Sequence, residues 1–91
     1  MSPEEEIIRA GKARQVLESD IFKEACQEIF DSLKDARLNS PVKDVELREK
    51  LWAQEVALEA ILSKLKTVIE TGQMAEKTLA DKVKELWNNF N

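Results

Sequence analysis

The chain lacks histidine altogether and contains a single cysteine, Cys26, among its 91 residues. Structural zinc sites take four Cys or His ligands, and helical di-iron sites take paired Glu-x-x-His motifs, so neither metal centre can be assembled. Ser-His-Asp and Cys-His catalytic sets are excluded in the same way, and there is no Gly-rich phosphate loop. We therefore predict a non-enzymatic protein without cofactor, metal or catalytic residues, in which Cys26 is an ordinary core residue.

Turn-forming and aromatic residues are also scarce. The chain has two Gly and two Pro, and only 5% of its residues are aromatic, against 43% hydrophobic and 35% charged. This composition is typical of long helices, since sheets need more turn residues and more β-branched alternation. The length suits one small domain. We predict a single all-α domain over residues 1–91, with a core of Leu, Ile, Val and Ala.

Basic clusters and long uncharged runs are missing as well. Proteins that bind duplex DNA normally carry a Lys/Arg-rich face, whereas this chain has a net charge of −4 without such a cluster, so nucleic acid is disfavoured as a partner. No run approaches 18 uncharged apolar residues, so no membrane span is predicted. The start, Met1-Ser2-Pro3 followed by three Glu, lacks the regions of a signal peptide. We expect a soluble intracellular protein.

Cap residues divide the chain into predicted helices. Ser2 with Glu5 forms a capping-box pattern for a first helix over residues 3–17, in which Gly11 is expected to let another backbone come close. Ser19 caps a second helix over residues 20–38, which the Asn-Ser-Pro sequence ending at Pro41 stops. The core side of this second helix is predicted to hold Phe22, Cys26, Ile29, Leu33 and Ala36.

The third predicted helix carries the strongest apolar pattern. It starts after the cap Asp44 and ends near Gly72, which suits the left-handed position that follows a helix. A short fourth helix, about Ala75 to Phe90, is amphipathic. The seam of the third helix follows heptad spacing, and Leu62 and Ile69 widen it. Its members are Leu47, Leu51, Gln54, Leu58, Ile61, Leu65 and Val68.

The short connection between the second and third helices predicts an antiparallel hairpin over about residues 20–38 and 44–71. The third helix is longer, so about two turns of its seam, around Leu65 to Ile69, lack cover from the second. Cover must come from the first helix, from the C-terminal helix or from another copy of the chain. We favour another copy with the terminal segments contributing, which makes the predicted fold self-associating, with a dimer as the simplest form.

Two further apolar surfaces need a partner. Val45, Trp52 and Val56 give the third helix a second apolar side, which we expect to receive the first helix or a second subunit. The C-terminal helix is too short to be stable alone, so residues 73–91 are predicted to dock separately, in cis or in trans. The predicted interface combines these surfaces with the uncovered end of the seam: Val45, Trp52, Val56, Leu65, Ile69, Leu79, Val83, Leu86, Trp87 and Phe90.

An acidic ridge on the second helix is a further candidate surface. Glu24, Glu28, Asp31 and Asp35 recur at steps of three and four, which places them on one side of the helix. Like charges at this spacing cost a few tenths of a kcal/mol per pair. A partner with a basic groove would offset that cost, but a solvated outer face is the favoured interpretation.

Three stretches of the sequence resemble a group of small, largely uncharacterised helical proteins of tailed bacteriophages, which are typically encoded near head and DNA-packaging genes. They are Phe22–Ala25, Arg48–Trp52 and Val68–Gly72, and the similarity covers about residues 5 to 72. The resemblance implies a viral, non-enzymatic protein located in the host cytoplasm or associated with the virion. It assigns no functional residues.

Three functions are consistent with these observations. The leading hypothesis is a self-associating interaction protein that acts in virion assembly as a structural or accessory factor. The first alternative is a phage-encoded inhibitor that binds a host enzyme or defence factor. The second alternative is a weak nucleic-acid-associated regulator, which salt-sensitive DNA binding would support.

Overall fold

The computed structural model describes residues 1–90, with the side chain of Phe90 left out, and has three helices in this range. They are α1 (Pro3–Glu18), α2 (Asp20–Leu38) and α3 (Val45–Phe90). No strand occurs in the described part of the chain. The prediction of an all-α fold is confirmed, and the predicted bounds of α2 agree with the structure.

The three predicted N-caps are all formed. The Ser2 hydroxyl accepts a hydrogen bond from the Glu5 amide at 3.2 Å, and the Ser19 hydroxyl accepts one from the Phe22 amide at 3.3 Å. The Asp44 carboxylate does the same for the Leu47 amide at 3.1 Å. Each cap satisfies an amide that has no partner within its own helix, which fixes where the helix begins.

The predicted break at Gly72 is wrong. Helix α3 continues through this position to Phe90, so residues 75–90 are its last turns and not a separate fourth helix. No glycine has a positive φ, which the predicted left-handed helix end required. Continuation keeps the backbone hydrogen bonds of this region intact. It also places Gly72 against α1, where there is no room for a side chain.

The close approach predicted at Gly11 occurs at Gly72 instead. A Cβ added at Gly11 would have no atom within 4 Å. A Cβ added at Gly72 would overlap the Ala10 Cβ and lie 3.0 Å from the Glu6 carbonyl oxygen. Gly72 is therefore the residue that lets the two backbones come together, while Gly11 lies on an open side of α1.

The chain forms two compact units, each containing part of α3. The first consists of α1 up to Val16 and of α3 from Lys64 onward. Glu6 lies near Thr71 and Gly72, while Val16 shares a groove with Leu65, so the two helices run antiparallel. The core of this unit is a seam of small buried residues: Ala10, Ala13, Gly72 and Ala75.

The second unit, Leu17–Ser63, is the antiparallel hairpin. At one end of it the Arg37 guanidinium pairs with the Glu55 carboxylate at 2.9 Å, and near the other end Phe22 and Leu62 line the same groove. Leu33 is among its few buried residues. These contacts confirm the predicted antiparallel pairing of the second and third helices.

The connection between α2 and α3 is held by a side chain that the sequence pattern did not indicate. The Arg48 guanidinium donates to the carbonyl oxygens of Pro41 and Val42, both at 2.7 Å. This charged donor adds two hydrogen bonds to a segment whose own backbone contributes a turn bond from the Asp44 amide to the Pro41 carbonyl oxygen at 3.0 Å.

Parts of the predicted core faces differ from the structure. On α2, Ile29 is 48% exposed and Ala36 is also exposed, whereas Phe30 is half-buried and takes the place predicted for Ile29. The inward residues of α2 recur at two steps of four and one of three, which turns the contact line away from Ile29. They are half-buried Phe22, Cys26 and Phe30, followed by buried Leu33.

The seam of α3 is corrected in the same way. Gln54, Ile61 and Leu47 are exposed, while Glu55 and Leu62 are turned inward next to buried Leu51 and half-buried Leu58. The inward side keeps a seven-residue repeat through Leu51, Leu58 and Leu65, but its second line runs through Glu55 and Leu62, each one residue after the predicted Gln54 and Ile61. The predicted line followed residue type, whereas the contact line follows the position of the neighbouring helix.

Candidate interaction surfaces

The C-terminal part of α3 carries an apolar stripe, hereafter the C-terminal stripe, formed by Leu79, Val83 and Leu86. Leu79 is half-buried, whereas Val83 and Leu86 are 65% and 58% exposed. Trp87, beside the stripe, is 67% exposed. The predicted interface also includes the side chain of Phe90, which lies outside the described residues.

A second apolar surface lies on the first part of α3. Its members, Val45, Trp52 and Val56, are exposed, as Trp52 shows at 61%. The expectation that the first helix covers this side is wrong, because α1 packs against α3 from Lys64 onward. A second subunit on this surface stays a prediction.

Helix α1 supplies the cover that the sequence left open at the end of the seam. Leu65 and Val68 line a groove with Ala13 and Val16 of α1, and Leu65 and Ile69 are both half-buried. The sequence left three sources of cover open, and at this place the cover comes from the first helix, α1. This reduces the apolar surface available to a second copy at Leu65 and Ile69.

The acidic ridge of α2 is exposed to solvent along its whole length. Glu24, Glu28, Asp31 and Asp35 are all exposed, and none of them forms an ion pair with another described residue. The Gln27 side-chain amide donates a hydrogen bond to the Asp31 carboxylate at 2.9 Å. The ridge is thus a row of carboxylates that water or a cationic partner can reach.

The hairpin also contains a groove that the sequence analysis missed. It has a volume of about 400 Å³, and its apolar lining residues are Leu17, Phe22, Cys26, Phe30 and Leu62. Lys23 and Gln27 stand at its edge. Cys26 is half-buried here, not fully enclosed as expected for a core residue. The signal in the sequence was the recurrence of Phe22, Cys26 and Phe30 at steps of four.

Every fully buried side chain in the described part of the chain is apolar. Within residues 1–90 there is no cluster of three or more His, Cys, Asp or Glu side chains arranged to hold a metal ion. None of the described helices contains a segment long and apolar enough to cross a membrane.

Comparisons with known proteins add no relative. No protein-family model, no curated protein and no solved structure matches this chain.

Proposed function

We propose that this chain is a non-enzymatic, self-associating interaction protein of a tailed bacteriophage that acts in virion assembly as a structural or accessory factor. The observation that carries the proposal is the display of large apolar side chains on two regular helical surfaces, with Trp52 and Val83 both more than half exposed. Large contiguous apolar patches are rare on the surface of monomeric proteins, and where they occur they usually mark interaction sites. The resemblance of Phe22–Ala25, Arg48–Trp52 and Val68–Gly72 to phage proteins supports the viral context.

The place of action follows from the same proposal. An assembly factor works in the host cytoplasm, and it is either released or retained when the particle is complete. Mass spectrometry of density-purified virions distinguishes retention from release. Electron microscopy of infections that lack the protein should reveal fewer or malformed heads, and particles of normal number and shape would contradict the assembly role.

An inhibitor of a host enzyme or defence factor is the second candidate, and the acidic ridge favours it. Four exposed carboxylates without ion-pair partners match a basic groove, as charge-complementary inhibitors do. In that case, infections lacking the protein make normal particles but grow poorly on a restrictive host. Changing Glu24, Glu28, Asp31 and Asp35 to Gln should reproduce this growth defect.

A further inference from the structure

Helix α1 covers α3 only as far as about Leu79. Ala10 lies against Gly72, while Ala13 and Val16, later in α1, line a groove with Leu65 and Val68, which come earlier in α3. Residue numbers therefore increase along α1 as they decrease along α3. Extending this register places Pro3, the first residue of α1, opposite about Leu79. The burial agrees with this register, because Leu79 is half-buried whereas every residue from 80 to 89 is exposed.

The apolar line that α1 covers does not stop where α1 stops. Within the first unit it comprises Val68, Gly72, Ala75 and Leu79, at steps of four, three and four. It continues with Val83 and Leu86, again at steps of four and three, on the same side of the helix. A surface that packs against an antiparallel helix over its first half is thus left without cover from α1 over its second half.

We propose that a second copy of this chain covers the C-terminal stripe, by antiparallel two-fold pairing of the two α3 ends. The uncovered part of the α3 surface lies in line with α1. The segment that covers it is therefore a helix that runs antiparallel to α3 and carries an uncharged stripe. The end of α3 has that form itself. A two-fold axis near Lys84 and Glu85 sets Val83 of one copy beside the partner's Leu86, so that one contact made twice covers both stripes. The inference deepens the self-association in the proposed function by assigning its surface.

Charge favours a second copy at this end of the molecule. The chain as a whole has a net charge of −4, and residues 17–63 carry the negative excess, with 11 acidic against 6 basic residues, so two copies repel each other most strongly there. Between residues 80 and 90 the two acids, Asp81 and Glu85, are balanced by Lys82 and Lys84. At the neutral end of α3 two copies can therefore approach without net repulsion, and this end offers no excess charge that would select an acidic or basic partner.

The size of the stripe sets the strength of the pairing. From Leu79 to Phe90 the helix extends over about 18 Å. Such a contact is smaller than the ~800 Å² per partner of a standard stable interface. We therefore expect a dimer that dissociates on dilution, and a permanent complex is not expected.

Sedimentation velocity of the full chain tests the proposal. The wild-type weight-average mass should rise from that of a monomer toward that of a dimer as the protein concentration is raised. The double variant Val83→Asp with Leu86→Asp should stay monomeric throughout. Both positions are exposed, so circular dichroism should show that the variant keeps its helices. Val42→Asp, an exposed apolar position in the α2–α3 connection, is the matched control and should behave as the wild type.

Cysteine cross-linking tests the arrangement, in chains where Cys26 is first changed to Ser. A mixture of Val83→Cys and Leu86→Cys chains should form mixed disulfides in preference to disulfides between identical chains. Preferential linkage between two Val83→Cys chains would overturn the antiparallel pairing. A wild type that stays monomeric at millimolar concentration, or a double variant that still associates, would overturn the inference as a whole. Detection of the protein in virions is independent of these results, so this inference and the assembly role can fail separately.

Discussion

One missing methyl group permits the close packing of α1 on α3. Because a Cβ at Gly72 would overlap Ala10 and crowd the Glu6 carbonyl, Gly72→Ala should force the helices apart. Overpacking of this kind costs about 1–3 kcal/mol, which outweighs the ~1 kcal/mol that Ala gains over Gly in a helix. We expect a net loss of up to about 2 kcal/mol in the free energy of unfolding, measured with urea.

Gly11→Ala is the matched control for that prediction. The position is helical and open, so the substitution should raise the free energy of unfolding by about 0.5–1 kcal/mol. Adding Ala10→Gly to Gly72→Ala should return part of the lost stability, since it vacates the space that the new methyl group needs. Equal effects of alanine at positions 11 and 72 would contradict the role of Gly72.

Leu58 tests the hairpin core at the same scale. It is half-buried on the side of α3 that carries buried Leu51. Leu58→Asp places an unpaired charge there at a cost of several kcal/mol, a large part of the stability of a small domain. The variant should lose much of its helical circular dichroism, whereas Gln54→Asp, at an exposed position one turn away, should keep it. A near-native melting temperature for Leu58→Asp would refute the assignment.

At the scale of elements, the unbroken course of α3 through Gly72 is the main departure from the sequence prediction. Met74→Pro tests it, because Met74 is exposed and makes little contact with other residues through its side chain. Inside a continuous helix, Pro removes a hydrogen bond and clashes with the preceding turn, which costs about 3 kcal/mol or more. At the start of a separate fourth helix it would be tolerated. We expect a large drop in thermal midpoint for Met74→Pro and little change for Met74→Ala.

The elements were largely predictable because helix starts have local chemical signals. Ser2, Ser19 and Asp44 accept amide hydrogen bonds within their own first turns, and Pro41 limits α2 from outside. Gly72 was misread because a glycine that ends a helix and one that admits a neighbouring helix look the same in sequence. Only the position of Ala10, far away along the chain, decides between them.

The candidate surfaces were predictable to a smaller degree. Helical spacing alone identified the C-terminal stripe, in which Val83 and Leu86 are exposed and Leu79 is half-buried, and the acidic ridge, whose four residues are all exposed. The groove around Cys26 was missed because its shape depends on how α2 lies against α3, and periodicity gives only the side of one helix. The displacement of Ile29 by Phe30 has the same origin.

Helix α2 allows a test of whether the acidic ridge is only a solvated face. Changing Glu24, Glu28, Asp31 and Asp35 to Gln removes three like-charge pairs at steps of three and four, each worth a few tenths of a kcal/mol. The thermal midpoint should therefore stay the same or rise slightly. A clear fall in the midpoint would mean that the carboxylates stabilise the fold through interactions other than those described.

For the whole molecule, the proposed self-association would make stability depend on protein concentration. If association is linked to folding, the wild-type melting midpoint should rise with protein concentration. Trp52→Glu together with Leu86→Glu should lower the midpoint and remove that dependence, because the pair alters both exposed apolar surfaces. The two single variants separate the contributions of the two surfaces. A midpoint that is independent of concentration in the wild type would exclude linked association.

The seam between Ala10 and Gly72 also has a consequence for the order of folding. These residues are 62 positions apart in the chain, whereas Arg37 and Glu55 in the hairpin are 18 apart. Closing the longer loop costs about 1 kcal/mol more in chain entropy, and distant contacts generally form late. The rate-limiting barrier should thus be crossed with the hairpin formed and α1 still undocked. Stopped-flow measurements should then show that Gly72→Ala accelerates unfolding and leaves the folding rate nearly unchanged.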